Sequence, residues 1–167
     1  MATVQLPPDF KEFLKLLKEH EVCYLLIGGY AVGYYGYIRA TGDMDIWIAI
    51  HPDNAHKMVA VLKAFGFDHP DLSDDLFLHE NKILRMGVPP VRLEITTSIS
   101  GVEFDECYQV RVVDDLDGVE VNLSFGSLSI KRGRRTGLTA QAGLLPGPIL
   151  LPHTIDAFHN IRKPRYS

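Results

Sequence analysis

Two aspartates and a glutamate carry the chemistry most available to this chain. Asp43 and Asp45 open the run Asp43-Met44-Asp45-Ile46-Trp47-Ile48-Ala49-Ile50, and Glu94 stands in a second run, Val91-Arg92-Leu93-Glu94-Ile95. In a β-strand residues i and i+2 point to one face. Asp43 and Asp45 are therefore expected side by side, with Met44 and Ile46 turned toward a core. Neighbouring carboxylates repel one another unless something neutralises them, and a divalent cation with oxygen ligands is the usual neutraliser. Phosphoryl and nucleotidyl transfer need such a set, in which carboxylates hold Mg²⁺ or Mn²⁺ to activate an attacking oxygen and steady a leaving pyrophosphate. Gly28 and Gly29 follow the apolar run Tyr24-Leu25-Leu26-Ile27. Backbone N–H groups at a glycine turn and at the helix start after it can hold phosphate oxygens. Arg39 and Thr41, just ahead of the aspartates, add a cation and a hydroxyl near the same place.

The elements that must position these groups are legible around them. Phe10, Phe13, Leu14 and Leu17 recur at helical spacing, with Asp9 as cap and Glu12 completing a capping box. Residues 21–27 form an apolar run that predicts a buried strand, and residues 30–37 predict a short helix weakened by Gly33 and Gly36. The acidic strand spans 43–50. His51-Pro52-Asp53 then caps a helix whose buried face is Met58, Val59, Val61, Leu62 and Phe65, and Gly66 stops it. Residues 67–80 are acidic and irregular, the composition of a solvated loop. Short strands are expected at 82–86 and 91–95, with Gly87-Val88-Pro89-Pro90 as the breaker between them. On the second strand Leu93 and Ile95 face one way, and Arg92, Glu94 and Thr96 the other. Asp117-Gly118 is a strong turn dipeptide and predicts a hairpin of 108–113 with 119–123.

Other chemistries fit less well. Gly28, Gly29, Gly33 and Gly36 do not make the G-x-G-x-x-G of dinucleotide folds. The seven histidines show no ligand spacing for zinc. Tyr30, Tyr34, Tyr35 and Tyr37 offer stacking surfaces for a base, although packing with wet hydroxyls is the more ordinary use of such residues.

Composition sets the frame. The chain has 167 residues, 46% of them hydrophobic, enough for one domain with its own core. Net charge is −4, so any phosphate contact must be local. The charge is uneven: seven Lys and Arg against the single Asp156 give 129–167 a charge of +6 and leave −10 for the rest. That segment is rich in Leu, Pro and Gly without helical or strand period, the pattern of a loosely packed tail after a core of 1–128. Cys23 and Cys107 form no C-x-x-C pair and read as buried thiols of a reducing cytoplasm. No signal peptide is visible, and the run 24–38 is too short and glycine-rich to span a bilayer, so no membrane role is expected.

The combined pattern resembles a known group. Gly28-Gly29, a helix, Asp43-Met44-Asp45 and then Leu93-Glu94-Ile95 are similar to the core of the polymerase β-type nucleotidyltransferase superfamily. The run Arg39-Ala40-Thr41-Gly42-Asp43-Met44-Asp45, with Pro89-Pro90-Val91-Arg92-Leu93-Glu94 and Ile99-Ser100-Gly101-Val102, resembles the small bacterial subgroup related to AbiEii-type toxin nucleotidyltransferases. The resemblance spans about residues 8–128. It implies an α/β (α+β) nucleotidyltransferase fold with a mixed central sheet and helices mainly on one face. It implies Asp43, Asp45 and Glu94 as catalytic metal ligands, NTP as donor, and an acceptor that is a protein hydroxyl, a tRNA end or a small molecule. It also implies an antitoxin-like protein partner. Lys131, Gly133 and Arg134 only faintly echo a family segment whose acidic residues are absent here. A second reading follows from that departure: an impaired nucleotidyltransferase fold that binds nucleotide or a partner without transfer.

Overall fold

The computed structural model describes residues 4–36, 42–88 and 91–124. Arg39, Thr41, Tyr37 and the basic segment 129–167 lie outside them. A helix, α1 (Pro8–Glu19), leads into strand β1 (Tyr24–Ile27) and the short helix α2 (Gly28–Tyr34). Strand β2 (Asp43–Ile48) and helix α3 (Pro52–Phe65) follow, then a single 3₁₀ turn at Asp74–Phe77. The chain continues through β3 (Ile83–Val88), β4 (Val91–Thr96), α4 (Phe104–Gln109), β5 (Val112–Leu116) and β6 (Val119–Leu123).

The six strands make one mixed sheet in the order β3-β4-β2-β1-β6-β5. Strand β2 pairs with β4 in parallel and with β1 antiparallel. Strand β6 returns parallel to β1, and the two hairpins, β3 with β4 and β5 with β6, form the edges. The sheet is the expected mixed one, with the acidic strand and the Glu94 strand as neighbours.

One sheet face holds the main core. Leu26, Met44, Ile46, Ile48, Leu93 and Ile95 meet Phe10, Phe13, Leu14 and Leu17 of α1 and Met58, Val61, Leu62 and Phe65 of α3. Burial of this kind is worth about 25 cal/mol per Å² of apolar surface. Asn54, itself buried, stitches α3 to the sheet. Its Oδ1 accepts from the Cys23 N–H at 2.8 Å, and its Nδ2 donates to the carbonyls of Cys23 and Ala49.

Several boundaries differ from the sequence reading. Helix α1 begins at Pro8 behind Pro7, without a side-chain cap hydrogen bond, so Asp9 lies in its first turn and the expected capping box is not the start signal. Proline at the first helical position already has helical φ and needs no N–H partner. Helix α3 starts on His51, whose Nδ1 accepts from the Asp53 N–H, and ends on Gly66 at φ +109° as expected. The 67–80 loop is anchored through buried Phe77. The largest correction is α4: Phe104, Cys107 and Tyr108 lie on a helix, and β5 begins only at Val112. These three cover Leu25, Ile27 and Trp47, a second and smaller apolar cluster. The tyrosines of α2 pack and bond: Tyr30 is buried edge-on to Phe10, Tyr34 bonds Asp114, and Tyr35 donates to the Ser124 carbonyl. Both cysteines are free thiols but only half-buried. Among the described residues no helix is long and apolar enough to cross a membrane.

Candidate active site

Strand alternation decides which side chains meet. The positions of β2 that do not feed the main core are Asp43, Asp45 and Trp47. Trp47 is covered by α4, with Phe104 edge-on at 5.1 Å. Asp43 and Asp45 continue the same face beyond that cover and are half-exposed. The parallel register sets Asp43 beside Arg92 and Asp45 beside Glu94, and the β3–β4 register sets Arg85 beside Glu94 on the far side. Three carboxylates and two guanidinium groups therefore share one patch.

Helix α2 closes the patch from the β1 side. Strand β1 ends at Ile27, which is paired with Asp45, and Gly28 follows at φ +71°. A Cβ built on Gly28 would stand 2.1 Å from Asp45 Oδ2 and 3.2 Å from Asp45 Cβ. Glycine is required here twice, for its backbone and for the approach of the carboxylate. Gly28 was singled out for a phosphate, and its immediate neighbour in the structure is Asp45. The expected Gly-Gly turn is itself the first part of α2, which spans Gly28–Tyr34.

The ion pairs are specific. Arg92 Nη2 donates to Asp43 Oδ2 at 2.8 Å and lies 3.8 Å from Glu94 Oε1. Arg85 Nε donates to the same Glu94 oxygen at 2.9 Å. Arg92 Nε is buried with no hydrogen-bond partner among the described residues. The hydrogen bond it donates to Asp43 holds the Arg92 guanidinium still more firmly in its charged form, and the nearby charges of Asp43, Glu94 and Asp45 add to it. Burial pushes the Tyr30 hydroxyl above its ordinary range, and the charge of Asp43 contributes.

Asp43, Asp45 and Glu94 are hard oxygen donors on one face, and the donor set suits Mg²⁺ or Mn²⁺. Among the described residues no three acidic, histidine or cysteine side chains converge closely enough to enclose a metal ion. Asp43 and Glu94 are turned toward guanidinium groups. Sequence reasoning found the acids and Gly28. It passed over Arg85, and it placed Arg92 only on the same strand face as Glu94. The signal for both was an arginine at alternate positions on strands flanking the acids, which acquires meaning only once the register is known.

No family model and no curated protein sequence matches the chain. A solved structure does: a candidate nucleotidyltransferase from Thermotoga maritima superposes with a TM-score of 0.55 at 13% identity, covering 84% of this chain and 92% of that one. At this identity the likeness is one of fold. The mixed six-stranded sheet with its helices is a nucleotidyltransferase-type fold.

Proposed function

We propose that the protein transfers a nucleoside monophosphate from an NTP to an acceptor hydroxyl across the sheet face that carries Asp43, Asp45 and Glu94. The observation that carries this reading is the pairing of Asp45 with Glu94 on adjacent parallel strands, with Gly28 against Asp45. Asp43, Asp45 and Glu94 would hold Mg²⁺ or Mn²⁺, which when bound lowers the pKa of an attacking hydroxyl and offsets charge on the departing pyrophosphate. The chain's own groups fix the frame for that chemistry. The β2–β4 pairing sets the spacing of the acids, and the absence of a side chain at Gly28 leaves room for the Asp45 carboxylate. Gly28 and Gly29 at the start of α2, with Arg39 and Thr41, are proposed as the phosphate contacts. Tyr30, buried beside Asp43, bounds the site from α2.

The motifs ahead of Asp43 and around Glu94 support the AbiEii-related subgroup as the finer assignment, with a protein, tRNA or small-molecule acceptor and an antitoxin-like partner. Free thiols fit a cytoplasmic protein. Incubation with each α-labelled NTP, Mg²⁺ or Mn²⁺, and candidate acceptors tests the reading. Metal-dependent label on an acceptor is expected, and failure with every NTP and acceptor counts against transfer.

One observation favours a second reading. Arg85 and Arg92 form ion pairs with Glu94 and Asp43, which fits a nucleotide- or partner-binding module whose acids do not hold a metal. Nucleotide binding without turnover in the same experiment selects that reading.

A further inference from the structure

A polar cleft lies away from the acidic face, at the start of β1. Tyr24 pairs with Ile48 at that end of the strand, and Ile27 with Asp45 at the other. The cleft measures about 170 Å³ and is lined by Lys18 and Glu21 at and just after the end of α1, by Tyr24, by Tyr108 of α4, and by Glu120 and Asn122 of β6. One water occupies about 30 Å³, so there is room for a small molecule. Tyr24 forms the inner wall and is 2% exposed. Its hydroxyl accepts the Asn122 N–H at 3.3 Å, and among the described residues its own proton has no acceptor. Burial pushes this hydroxyl up to about 12; the Asn122 hydrogen bond opposes the shift, and Glu120 and Tyr108 add to it. The group is therefore a donor at any ordinary pH, and a buried donor without an acceptor is unfavourable.

The rim carries both signs. Glu21 is exposed and has a left-handed backbone at φ +54°, a conformation that non-glycine residues adopt rarely and that recurs at functional sites. Among the described residues it forms no salt bridge; its charge acts on Lys57, itself paired with Asp53. Lys18 Nζ and Glu120 Oε1 stand 3.1 Å apart, both side chains more than half exposed, a pair worth little in water and readily exchanged. Arg111 stacks over the Tyr108 ring and donates to the Asn122 side chain. The charged groups just named balance, three acidic against three basic.

We propose that this cleft binds a small zwitterion, a free amino acid. Its ammonium lies between Glu21 and Glu120, and its carboxylate accepts the Tyr24 O–H and takes Lys18 from Glu120. A balanced rim favours a molecule that carries both charges over a bare cation or anion, and a carboxylate supplies the acceptor that Tyr24 lacks in a strong, charge-assisted hydrogen bond. The cleft is separate from the face on which transfer is proposed, and the inference does not rest on that reading.

The test is isothermal titration calorimetry of the full-length protein with each standard amino acid in turn, and with acetate and methylammonium, which carry one charge each. Wild type is compared with Tyr24→Phe and Glu21→Gln. Melting curves establish that each variant is folded, and Glu21→Gln, a shape-conserving change at an exposed position, decides the matter should Tyr24→Phe unfold. At least one amino acid is expected to bind wild type one to one, about tenfold or more tighter than acetate or methylammonium. Tyr24→Phe and Glu21→Gln are each expected to weaken that binding about tenfold, through loss of one hydrogen bond to an ionised group. No binding of any amino acid at millimolar concentration overturns the inference and leaves the cleft to water. Acetate or methylammonium binding as tightly as the amino acids overturns it too, as does an amino-acid affinity that folded Glu21→Gln leaves unchanged.

Discussion

Strand β2 serves two masters on its two faces. Met44, Ile46 and Ile48 are fully enclosed against α1 and α3. Asp43 and Asp45, one residue out of phase with them, stand half-exposed beside two arginines and a glutamate. Trp47, on the same side as the aspartates, is buried again where α4 covers it. The difference separates the face that carries stability from the face on which transfer is proposed. The enclosed face can hold the strand in register whatever charges the open face carries, so acids that repel one another can be set together without unfolding the sheet.

That separation can be broken from the enclosed side first. Ile46→Ala removes a fully buried side chain from the main core and is expected to cost about 2–5 kcal/mol in urea unfolding. A loss below about 1 kcal/mol would mean this face does not carry the fold. Asn54→Ala leaves the backbone groups of Cys23 and Ala49 without the partner that joins them to α3, and a loss of about 2–3 kcal/mol is expected from the same measurement.

The enclosed face also predicts an alkaline limit. Burial pushes the Tyr24 hydroxyl up to about 12 from an ordinary value of 10.0. Between those values the unfolded chain has lost this proton and the native protein keeps it, so stability falls as pH rises from about 10 to 12. The contribution is on the order of 2 kcal/mol. Tyr24→Phe should lower stability at neutral pH, because the Asn122 N–H loses its acceptor, yet flatten the fall above pH 10. An unchanged slope would show that Tyr24 is not protected as described.

On the open side the sharper probe is a glycine pair. Gly28 and Gly118 both have positive φ, +71° and +84°, but only Gly28 faces another residue where a Cβ would go. Alanine at either position should cost about 1–2 kcal/mol for backbone strain. Gly28→Ala should lose more than Gly118→Ala by displacing Asp45, and paired melting curves give the difference. Equal losses would mean that the Asp45 contact is not a constraint.

Much of this was legible because it depends on short-range pattern. Alternation in residues 43–48 and 91–96 reports which side chains share a face, and Gly66 and Asp117-Gly118 report local backbone needs. Helix α4 was hidden because Phe104, Cys107 and Tyr108 are spaced for a helix while Tyr108 onward also alternates like a strand; the apolar patch of Leu25, Ile27 and Trp47 decides between them. The arginine contacts were hidden for a different reason. Asp43 meets Arg92, and Glu94 meets Arg85, only in one register of three neighbouring strands, and register is a property of the assembled sheet. Gly28 was legible as a special position, while the carboxylate it accommodates was not.

The central claim is that the open face of β2 performs transfer while the enclosed face maintains the fold. Asp45→Asn keeps the shape of the side chain and removes one charge from the patch. The most direct measurement is the rate of label transfer from α-labelled NTP under saturating Mg²⁺, for wild type and Asp45→Asn, with a melting curve for each. Transfer should fall by at least about a hundredfold, while stability changes by less than about 0.5 kcal/mol. An Asp45→Asn protein that melts like wild type and transfers nucleotide at the wild-type rate would contradict the account.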